Sequence, residues 1–365
     1  MKKIGLILSV LVWSATAQSQ VVRAYSDEFL AIGVGAQALG MAGSVVASTN
    51  DVTAGYWNPA GLVYNDNTQF SAMHNEYFAG ISDFDYAAAA FPLKNDRYIG
   101  FSIVRFGTDD IPNTLFLVQP DGSINYNNVT TFSAADYAFL FSYAQKIKKI
   151  DGLSIGGNAK VIYRIVGSFA DCWGFGFDIG AQYHLKNLYL GLIARDVTTT
   201  FNAWSFNFTD AEQAVLAQTD NEIPTSSIEL TAPTVIYGVA YNFEIGKKFG
   251  ILPELDIDMT TDGMRNVLIS SAPLSFDPHM GLELNYNHFI FIRGGIGNIQ
   301  RGTNNVTGAQ IYTMQPDIGI GLRLGAFTLD YAFTNLGNVS EAPYSNVFSV
   351  KMTLAGKKNN KQSIR

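Results

Sequence analysis

The stretch WGFGFDIGAQY, residues 173–183, alternates large apolar residues with small or charged ones. Successive side chains of a β-strand point to opposite sides, so one face carries Trp173, Phe175, Phe177 and Ile179, and the other carries Gly174, Gly176, Asp178 and Gly180. A strand with aromatic residues on one face and glycine or charge on the other is typical of a barrel wall between lipid and a polar lumen.

The same period-two pattern recurs along the chain, for example in HMGLELNY (279–286), DIGIGLRLG (317–325) and AFTLDYAFTN (326–335). A soluble sandwich would also alternate, but its exposed face would carry more Lys and Glu. About fourteen such segments can be counted, near 68–78, 81–91, 97–107, 134–146, 153–165, 173–184, 187–196, 234–244, 249–259, 278–286, 289–297, 315–324, 327–335 and 344–355.

The links between these segments alternate in length. Links after even-numbered segments are short, and most links after odd-numbered segments are long, notably 108–133, 197–233, 260–277 and 298–314. Short periplasmic turns and long exterior loops are the asymmetry of bacterial outer-membrane barrels. The sequence therefore predicts an all-β, transmembrane antiparallel β-barrel of about 14 strands in the bacterial outer membrane, with both termini periplasmic.

Composition agrees with this interpretation. The chain is 47% hydrophobic and only 15% charged, against roughly 25% charged in an ordinary soluble domain. Beyond the N-terminus, the sequence has no apolar run near the length of a spanning helix, about 18 residues or more. A net charge of −7 without a basic stripe argues against a nucleic-acid partner.

The chain divides into four regions. Residues 1–17, with Lys2, Lys3, an apolar run and a small-residue site, are predicted to be a cleaved signal peptide. Residues 18–66 are predicted to form an N-terminal hatch, 67–356 the barrel, and 357–365 a periplasmic tail. Cys172 is the single cysteine, so the chain has no internal disulfide.

A 14-stranded barrel is too wide for wall side chains to fill its lumen. We therefore expect the hatch to fold inward, with a short helix around residues 34–47 followed by the turn in GYWNPAGL (55–62). Tyr56 and Trp57 are expected to pack the hatch, and the Asn58 amide to bond hatch backbone groups. Pro59 would fix the turn; it is followed by Ala60, and Gly61 would permit close approach to the wall.

Four stretches together carry a family resemblance: FLAIGVGAQALGMAGSVVASTNDVTAGYWNPAGL (29–62), VRFGTDDIPNT (104–114), SYAQKIKKIDGLSIGGNAKVIYR (142–164) and LDYAFTNLGN (329–338). Their order resembles the PorV/PorQ family of Bacteroidetes outer-membrane proteins, which are FadL-like in fold. The resemblance implies a 14-stranded barrel with an N-terminal hatch containing the Asn-Pro-Ala turn. It also implies a role in type IX secretion, with exported proteins' C-terminal sorting domains and a translocon barrel as partners.

The sequence predicts no catalytic, metal or cofactor site. GVGAQALG (33–40) misses the dinucleotide spacing, and DIDMTTDG (256–263) lacks the closing glutamate of a calcium loop. The four histidines share no metal-ligand spacing, and no nucleophile stands beside a base in a recognisable string. An enzyme is not expected.

Alternation also predicts which charged side chains face the lumen. They are expected to pair with each other and with the hatch, since unpaired ions there would be costly. The set is Lys160, Arg164, Asp178, Arg195, Glu254, Asp256, Asp258, Glu283, Arg293, Asp317, Arg323 and Asp330.

The longest predicted exterior loop carries Phe201, Trp204, Phe206 and Phe208, with a short helix expected from Asp210 to Leu216. These aromatic residues either contact proteins or fold over the barrel mouth as a lid. Three functions stay open: a PorV/PorQ-type component of protein secretion, a FadL-like transporter of hydrophobic small molecules, or a structural barrel in a larger complex. Outer-membrane lipid is a partner in all three.

Overall fold

The computed structural model describes residues 26–65, 67–77, 80–119, 121–218, 226–303, 308–336 and 344–354. These residues form one closed antiparallel sheet. Its strands are β1 (Thr68–Tyr77), β2 (Ser82–Pro92), β3 (Arg97–Asn113), β4 (Thr130–Lys146), β5 (Leu153–Val166), β6 (Ala170–Leu185), β7 (Leu188–Arg195), β8 (Thr200–Phe206), β9 (Ser226–Thr231), β10 (Thr234–Tyr241), β11 (Phe243–Ile245), β12 (Phe249–Thr260), β13 (Ile269–Ser270), β14 (Ser275–Tyr286), β15 (Ile290–Thr303), β16 (Gln310–Leu324), β17 (Phe327–Thr334) and β18 (Ser345–Leu354).

The barrel wall has 14 strand positions, closed where β1 pairs with β18. The other four of these strands do not add positions to the wall. The β8–β9 hairpin continues β7 and β10 beyond a break, β11 continues β10, and β13 pairs only with the start of β14. The predicted all-β antiparallel barrel of about 14 strands is therefore confirmed.

The wall shows the inward and outward faces that the alternation predicts. On β6, Trp173, Phe175 and Phe177 are 49–55% exposed on the outer surface, whereas Asp178 is only 4% exposed. On β14, Met280, Leu282 and Leu284 point outward and Glu283 is buried. A continuous apolar outer surface over a polar interior is the arrangement a lipid-embedded barrel requires.

The strand ends show the predicted asymmetry. One rim, the short-turn end, has tight connections such as 186–187 and 325–326. The other rim, the long-loop end, carries the described parts of longer connections, with the loop helix α3 (Asp210–Gln218) and a 3₁₀ turn at Tyr126–Asn128. Several strands run further toward this end than predicted; β3, for example, extends to Asn113.

Residues 26–65, called the lumenal segment from here on, lie inside the barrel. The segment contains α1 (Ala36–Leu39), α2 (Ala54–Trp57) and 3₁₀ turns at Glu28–Ala31 and Pro59–Tyr64. The short helix predicted around 34–47 is present, but it is confined to the four residues of α1. The backbone N–H groups of residues 45–48 donate to wall carboxylates instead of to helical carbonyls.

No helix in the described ranges is long and apolar enough to cross a membrane. The predicted signal peptide 1–17 and tail 357–365 lie outside the described residues, so they stay predictions. The placement of the two chain ends relative to the membrane stays a prediction for the same reason.

Candidate ligand site in the lumen

The lumenal segment lies directly against wall glycines, because no side chain separates the two backbones there. A Cβ added at Gly295 would lie 2.3 Å from the carbonyl carbon of Met41. One at Gly191 would lie 2.4 Å from the carbonyl oxygen of Val46, and one at Gly156 would lie 2.6 Å from the nitrogen of Ala60. Real Cβ atoms do not approach so closely, so only glycine fits at these three positions.

Two wall carboxylates hold the middle of the lumenal segment. One oxygen of Asp256 accepts hydrogen bonds from the N–H groups of Val45 and Val46, each at 3.0 Å. One oxygen of Glu254 accepts from Ala47 at 2.6 Å and Ser48 at 3.3 Å. These hydrogen bonds replace the intrahelical bonds of this stretch.

Asn58 joins the lumenal segment to the wall through its side-chain amide. The Nδ2 group donates to the carbonyl oxygens of Val46 at 3.0 Å and of the wall residue Ala181 at 3.1 Å. The Oδ1 atom accepts from the Ala60 N–H and so caps the 3₁₀ turn that starts at Pro59. Asn58 is completely buried, and a change of its side chain would leave these backbone groups without a partner.

The neighbours of Asn58 pack within the segment. The Trp57 indole N–H donates to the carbonyl oxygen of Val34 at 2.9 Å, and the Tyr56 hydroxyl donates to that of Leu30. A Cβ at Gly61 would meet the carbonyl oxygen of Thr49 at 2.2 Å. The close approach at Gly61 is therefore made mainly to the segment itself, whereas the expectation was an approach to the wall.

Ion pairs neutralise much of the predicted lumenal charge. Arg293 reaches Glu283 and Asp330, both at 2.7 Å, and all three side chains are buried. Lys160 pairs with Asp178 at 2.9 Å and with Asp196.

A third cluster joins Arg164 to Asp136 at 2.8 Å and Glu229 at 3.4 Å. Lys351 pairs with Asp51 of the lumenal segment. Five of these partners were not among the predicted lumenal residues: Asp136, Asp196, Glu229, Lys351 and Asp51. Alternation along β4 and β18 could have identified Asp136 and Lys351.

Two predicted lumenal arginines differ from the rest. The Arg195 guanidinium lies 5.1 Å from the Tyr56 ring centroid and 5.7 Å from that of Trp57, a cation–π arrangement. Arg323 is exposed near the short-turn end, 5.3 Å from the Phe291 ring.

Two carboxyl groups of the lumenal segment differ in their ionisation. Burial opposes ionisation of Asp51, but the charge and hydrogen bond of Lys351 outweigh it, so the pKa of Asp51 lies below its ordinary value. Burial dominates at Asp27 and raises the pKa of that carboxyl, although Asn202 and Thr231 donate to it. Asp51 is thus held as a paired anion, whereas at Asp27 the effect of burial exceeds that of the Arg164 charge, which lowers the pKa.

A cavity of about 730 Å³ occupies the lumen toward the long-loop end. Its floor and one side are the lumenal segment, with Leu30, Ile32, Leu39 and Trp57. Its other side is the polar wall, including Asp258, Asp277 and Asp317. Small-molecule sites in proteins commonly have about 300–1,000 Å³, so the cavity can accept a ligand with an apolar part.

Aromatic rings are stacked in the lumen beneath this cavity. Tyr64 stacks on His184 with ring centroids 3.8 Å apart, and its hydroxyl donates to the carbonyl oxygen of Gly152 at 3.0 Å. His184 in turn stacks on Tyr189. The stack stands at the short-turn end of the barrel, on the direct route from the cavity through the lumen.

The wall beside the cavity is interrupted between β7 and β8, at residues 196–199, where Asp196 and Thr199 have positive φ. Opposite, Ala232 and Pro233 separate β9 from β10. A hydrogen bond from the Val197 N–H to the carbonyl oxygen of Phe177, 2.9 Å, closes this gap toward β6.

The aromatic residues of the predicted exterior loop have different positions. Phe201 lies on the outer face of β8 and is 42% exposed. Trp204, Phe206 and Phe208 instead stack in sequence, with centroids 6.4 and 6.3 Å apart, and Arg164 lies over the Trp204 ring. Their mutual packing is compatible with a lid, and a contact with another protein stays a prediction.

Among the described residues, no group of three or more His, Cys, Asp or Glu side chains is arranged to hold a metal ion.

Comparison with known proteins supports the architecture. No family model and no curated protein sequence matches the chain. Solved structures do match: the CymD monoaromatic hydrocarbon channel (TM-score 0.55, 12% identity, 89% of this chain and 98% of that one) and the Ralstonia pickettii toluene transporter TbuX (0.53, 12%, 88% and 99%). A Pseudomonas aeruginosa FadL homologue matches similarly (0.51, 11%, 88% and 98%). At these identities the likeness concerns the fold: the chain folds as a 14-stranded outer-membrane barrel like those of FadL homologues.

Proposed function

We propose that this protein is an outer-membrane channel of the FadL type that takes up small molecules with an apolar part. The observation that carries the proposal is the 730 Å³ cavity, open to the long-loop half and bounded below by the apolar side of the lumenal segment. The FadL-like fold supports it, because the compared structures of this architecture include a monoaromatic hydrocarbon channel and a toluene transporter. A binding cavity and transport, without catalytic chemistry, account for the site.

The proposal includes an exit for the ligand through the wall. The packed stack of Tyr64, His184 and Tyr189 closes the direct route. The interruption at 196–199 lies beside the cavity, and Pro233 opposite it offers no N–H for a wall hydrogen bond. We place the exit there, closed in this structure by the Val197 N–H and by the Lys160 ion pairs.

The test is uptake by cells that express the full chain in place of their own FadL-type channels. Toluene and a long-chain fatty acid serve as probes. An Ile32→Trp variant should fill the cavity and lower uptake severalfold, because the large ring takes the space of the ligand. The control is Ile179→Trp on the outer wall, where Ile179 is 60% exposed.

Uptake equal in the two variants, both shown to be folded by heat-modifiable migration on gels, would contradict the channel proposal.

A second proposal, the PorV/PorQ-type role in type IX secretion, rests on the sequence resemblance and on the aromatic residues at the mouth. It would be favoured if the chain supports no uptake and co-purifies from native membranes with exported proteins and a translocon barrel.

A further inference from the structure

Four consecutive turns of the short-turn end carry exposed cations. They are the connections β2–β3, β4–β5, β6–β7 and β11–β12, which follow one another around the wall because β3 pairs with β4, β5 with β6 and β7 with β10. The same turns, all within the described ranges, carry the carboxylates of Asp96, Asp151 and Glu244. This stretch of the rim, called the basic half-rim from here on, is nevertheless rich in positive charge, although the whole chain has a net charge of −7. Its exposed cations are Lys94, Arg97, Lys146, Lys148, Lys149, Lys186, Lys247 and Lys248.

The other short turns have a different composition. The β14–β15 turn contains Asn287 and His288, and the β16–β17 turn contains Gly325 and Ala326. Arg323 lies near the second of these turns, but it belongs to the lumenal face and stands 5.3 Å from the Phe291 ring. At the opposite rim, the exposed charged residues of the described ranges include the carboxylates of Asp109, Asp110, Asp121 and Asp210.

Each turn of the basic half-rim places a lysine next to a large, exposed apolar side chain. The apolar members of these pairs are 45–56% exposed. Such a pair suits the boundary between acyl chains and headgroups, where the apolar side chain enters the acyl region and the ammonium group extends to the phosphate level. The pairs are Leu93–Lys94, Lys149–Ile150, Leu185–Lys186 and Lys248–Phe249.

Outward-facing aromatic residues lie just above these turns. Phe91, Tyr143 and Tyr241 are 37–43% exposed on the outer surface. Aromatic residues commonly mark the interface between the hydrocarbon core and the headgroups. Lys94 follows Phe91 by three residues, and Lys146 follows Tyr143 by three, which is about 10 Å along a strand. The lysines therefore stand at the depth of the lipid phosphates.

The protein itself offers these cations few partners. Lys148 lies 4.0 Å from Asp96, and the two side chains are 72% and 50% exposed, so this pair is weak. Lysine presents a compact charge with rotating donors, which suits mobile anionic groups, whereas arginine favours a fixed planar partner. The lysines that form no ion pair with a described residue are Lys94, Lys149, Lys186, Lys247 and Lys248.

We propose that the basic half-rim binds anionic phospholipid headgroups of the periplasmic leaflet, with the ammonium groups at the phosphates and the adjacent apolar side chains among the acyl chains. Clustered Lys and Arg residues beside a membrane attract anionic lipids. The half-rim extends over seven strand intervals, roughly 34 Å across the strands, so it faces several headgroups at once. This inference is independent of the channel function, because it requires only a barrel in the outer membrane.

The experiment measures the lipids that remain bound to the full chain in a neutral detergent, by native mass spectrometry. The probes are dioleoyl phosphatidylglycerol and dioleoyl phosphatidylcholine, which have the same acyl chains and differ in headgroup charge. We expect phosphatidylglycerol to be retained about fivefold more, and the preference to fall at high salt, because exposed charges are screened there.

A variant with Lys148→Gln, Lys149→Gln, Lys247→Gln and Lys248→Gln should lose most of this preference and keep its retention of phosphatidylcholine within about twofold. The matched control replaces the same four lysines by arginine. It keeps the positive charge and should keep the preference. Heat-modifiable migration shows that each variant is folded.

Equal retention of the two lipids, or an unchanged preference in the folded glutamine variant, would overturn the inference and leave the channel proposal standing. Lipopolysaccharide also carries phosphate groups, but it belongs to the opposite leaflet. If the wild type retains lipopolysaccharide more tightly than phosphatidylglycerol and the glutamine variant does not, the assignment to the periplasmic leaflet is wrong. If the wild type binds polyglutamate and shows no preference for phosphatidylglycerol, the half-rim is a surface for an acidic protein and the lipid assignment is wrong.

Discussion

The two halves of the lumen are filled in different ways. Toward the short-turn end, the lumenal segment lies on wall glycines, Arg293 joins two buried carboxylates, and Tyr64 closes the floor. Toward the long-loop end, a cavity remains, and Asp277 and Asp317 have no ion-pair partner among the described residues. The difference teaches that one polar lumen can be closely packed in one half and leave a cavity in the other.

The strongest test of this comparison is Arg293→Met. It would leave Glu283 and Asp330 as buried, uncompensated anions, and removing one partner of a buried ion pair costs about 3–5 kcal/mol. The comparison variant is Arg265→Met at the cavity, whose partner Asp262 lies in a partly exposed pair. Such pairs contribute about 1 kcal/mol or less. Urea unfolding of both variants, followed by tryptophan fluorescence, measures the difference; equal losses would mean that the two halves do not differ in this way.

A smaller loss of stability is expected when a methyl group is added at Gly295, where the wall contacts the lumenal segment. Gly295→Ala should lower the free energy of unfolding by about 1–3 kcal/mol, because the Cβ overlaps the Met41 backbone. Gly294→Ala, one residue earlier on the outer face, has its nearest neighbour at 3.9 Å and should be tolerated. Urea unfolding of the two single-methyl variants makes the comparison. If Gly295→Ala is as stable as Gly294→Ala, the segment is not fixed against the wall.

Asn58→Ala should lower the free energy of unfolding by about 1–3 kcal/mol, because hydrogen bonds to Val46, Ala181 and Ala60 are lost and buried backbone groups stay unpartnered. The effect of Asn58→Ala on the permeability of the lumen should be easier to measure. We expect greater entry of a large antibiotic and greater ion conductance in planar bilayers than for the loop control Asn127→Ala. Unaltered folding together with unaltered exclusion would count against a sealing role for Asn58.

The strand pattern was predictable because its cause is local. A strand with lipid on one side and a polar lumen on the other must alternate with period two, and this places Asp178, Glu283 and Asp330 inward without knowledge of the fold. The helix expected around 34–47 is confined to four residues for the opposite reason. Local composition allows a longer one, but Asp256 and Glu254, more than 200 residues away, take the backbone N–H groups it would need.

Which lumenal residues pair with each other was less predictable than which residues point into the lumen. Alternation can place Lys351 inward, but it cannot say that Asp51 will meet it across the barrel. Likewise, no periodic signal distinguishes Asp330, which pairs with Arg293, from Asp317, which forms no ion pair within the described ranges. These differences depend on closure of the barrel and on the path of the lumenal segment.

The sequence by itself determined the barrel, its strand count and the inward position of many charged residues, because each strand must face lipid on one side and a polar lumen on the other, whatever its neighbours are. Only the tertiary structure decided which charged residues form ion pairs, which wall glycines contact the lumenal segment, and where a cavity remains. Those features arise from contacts between residues far apart in the chain, which meet only after the sheet has closed around its own N-terminal segment.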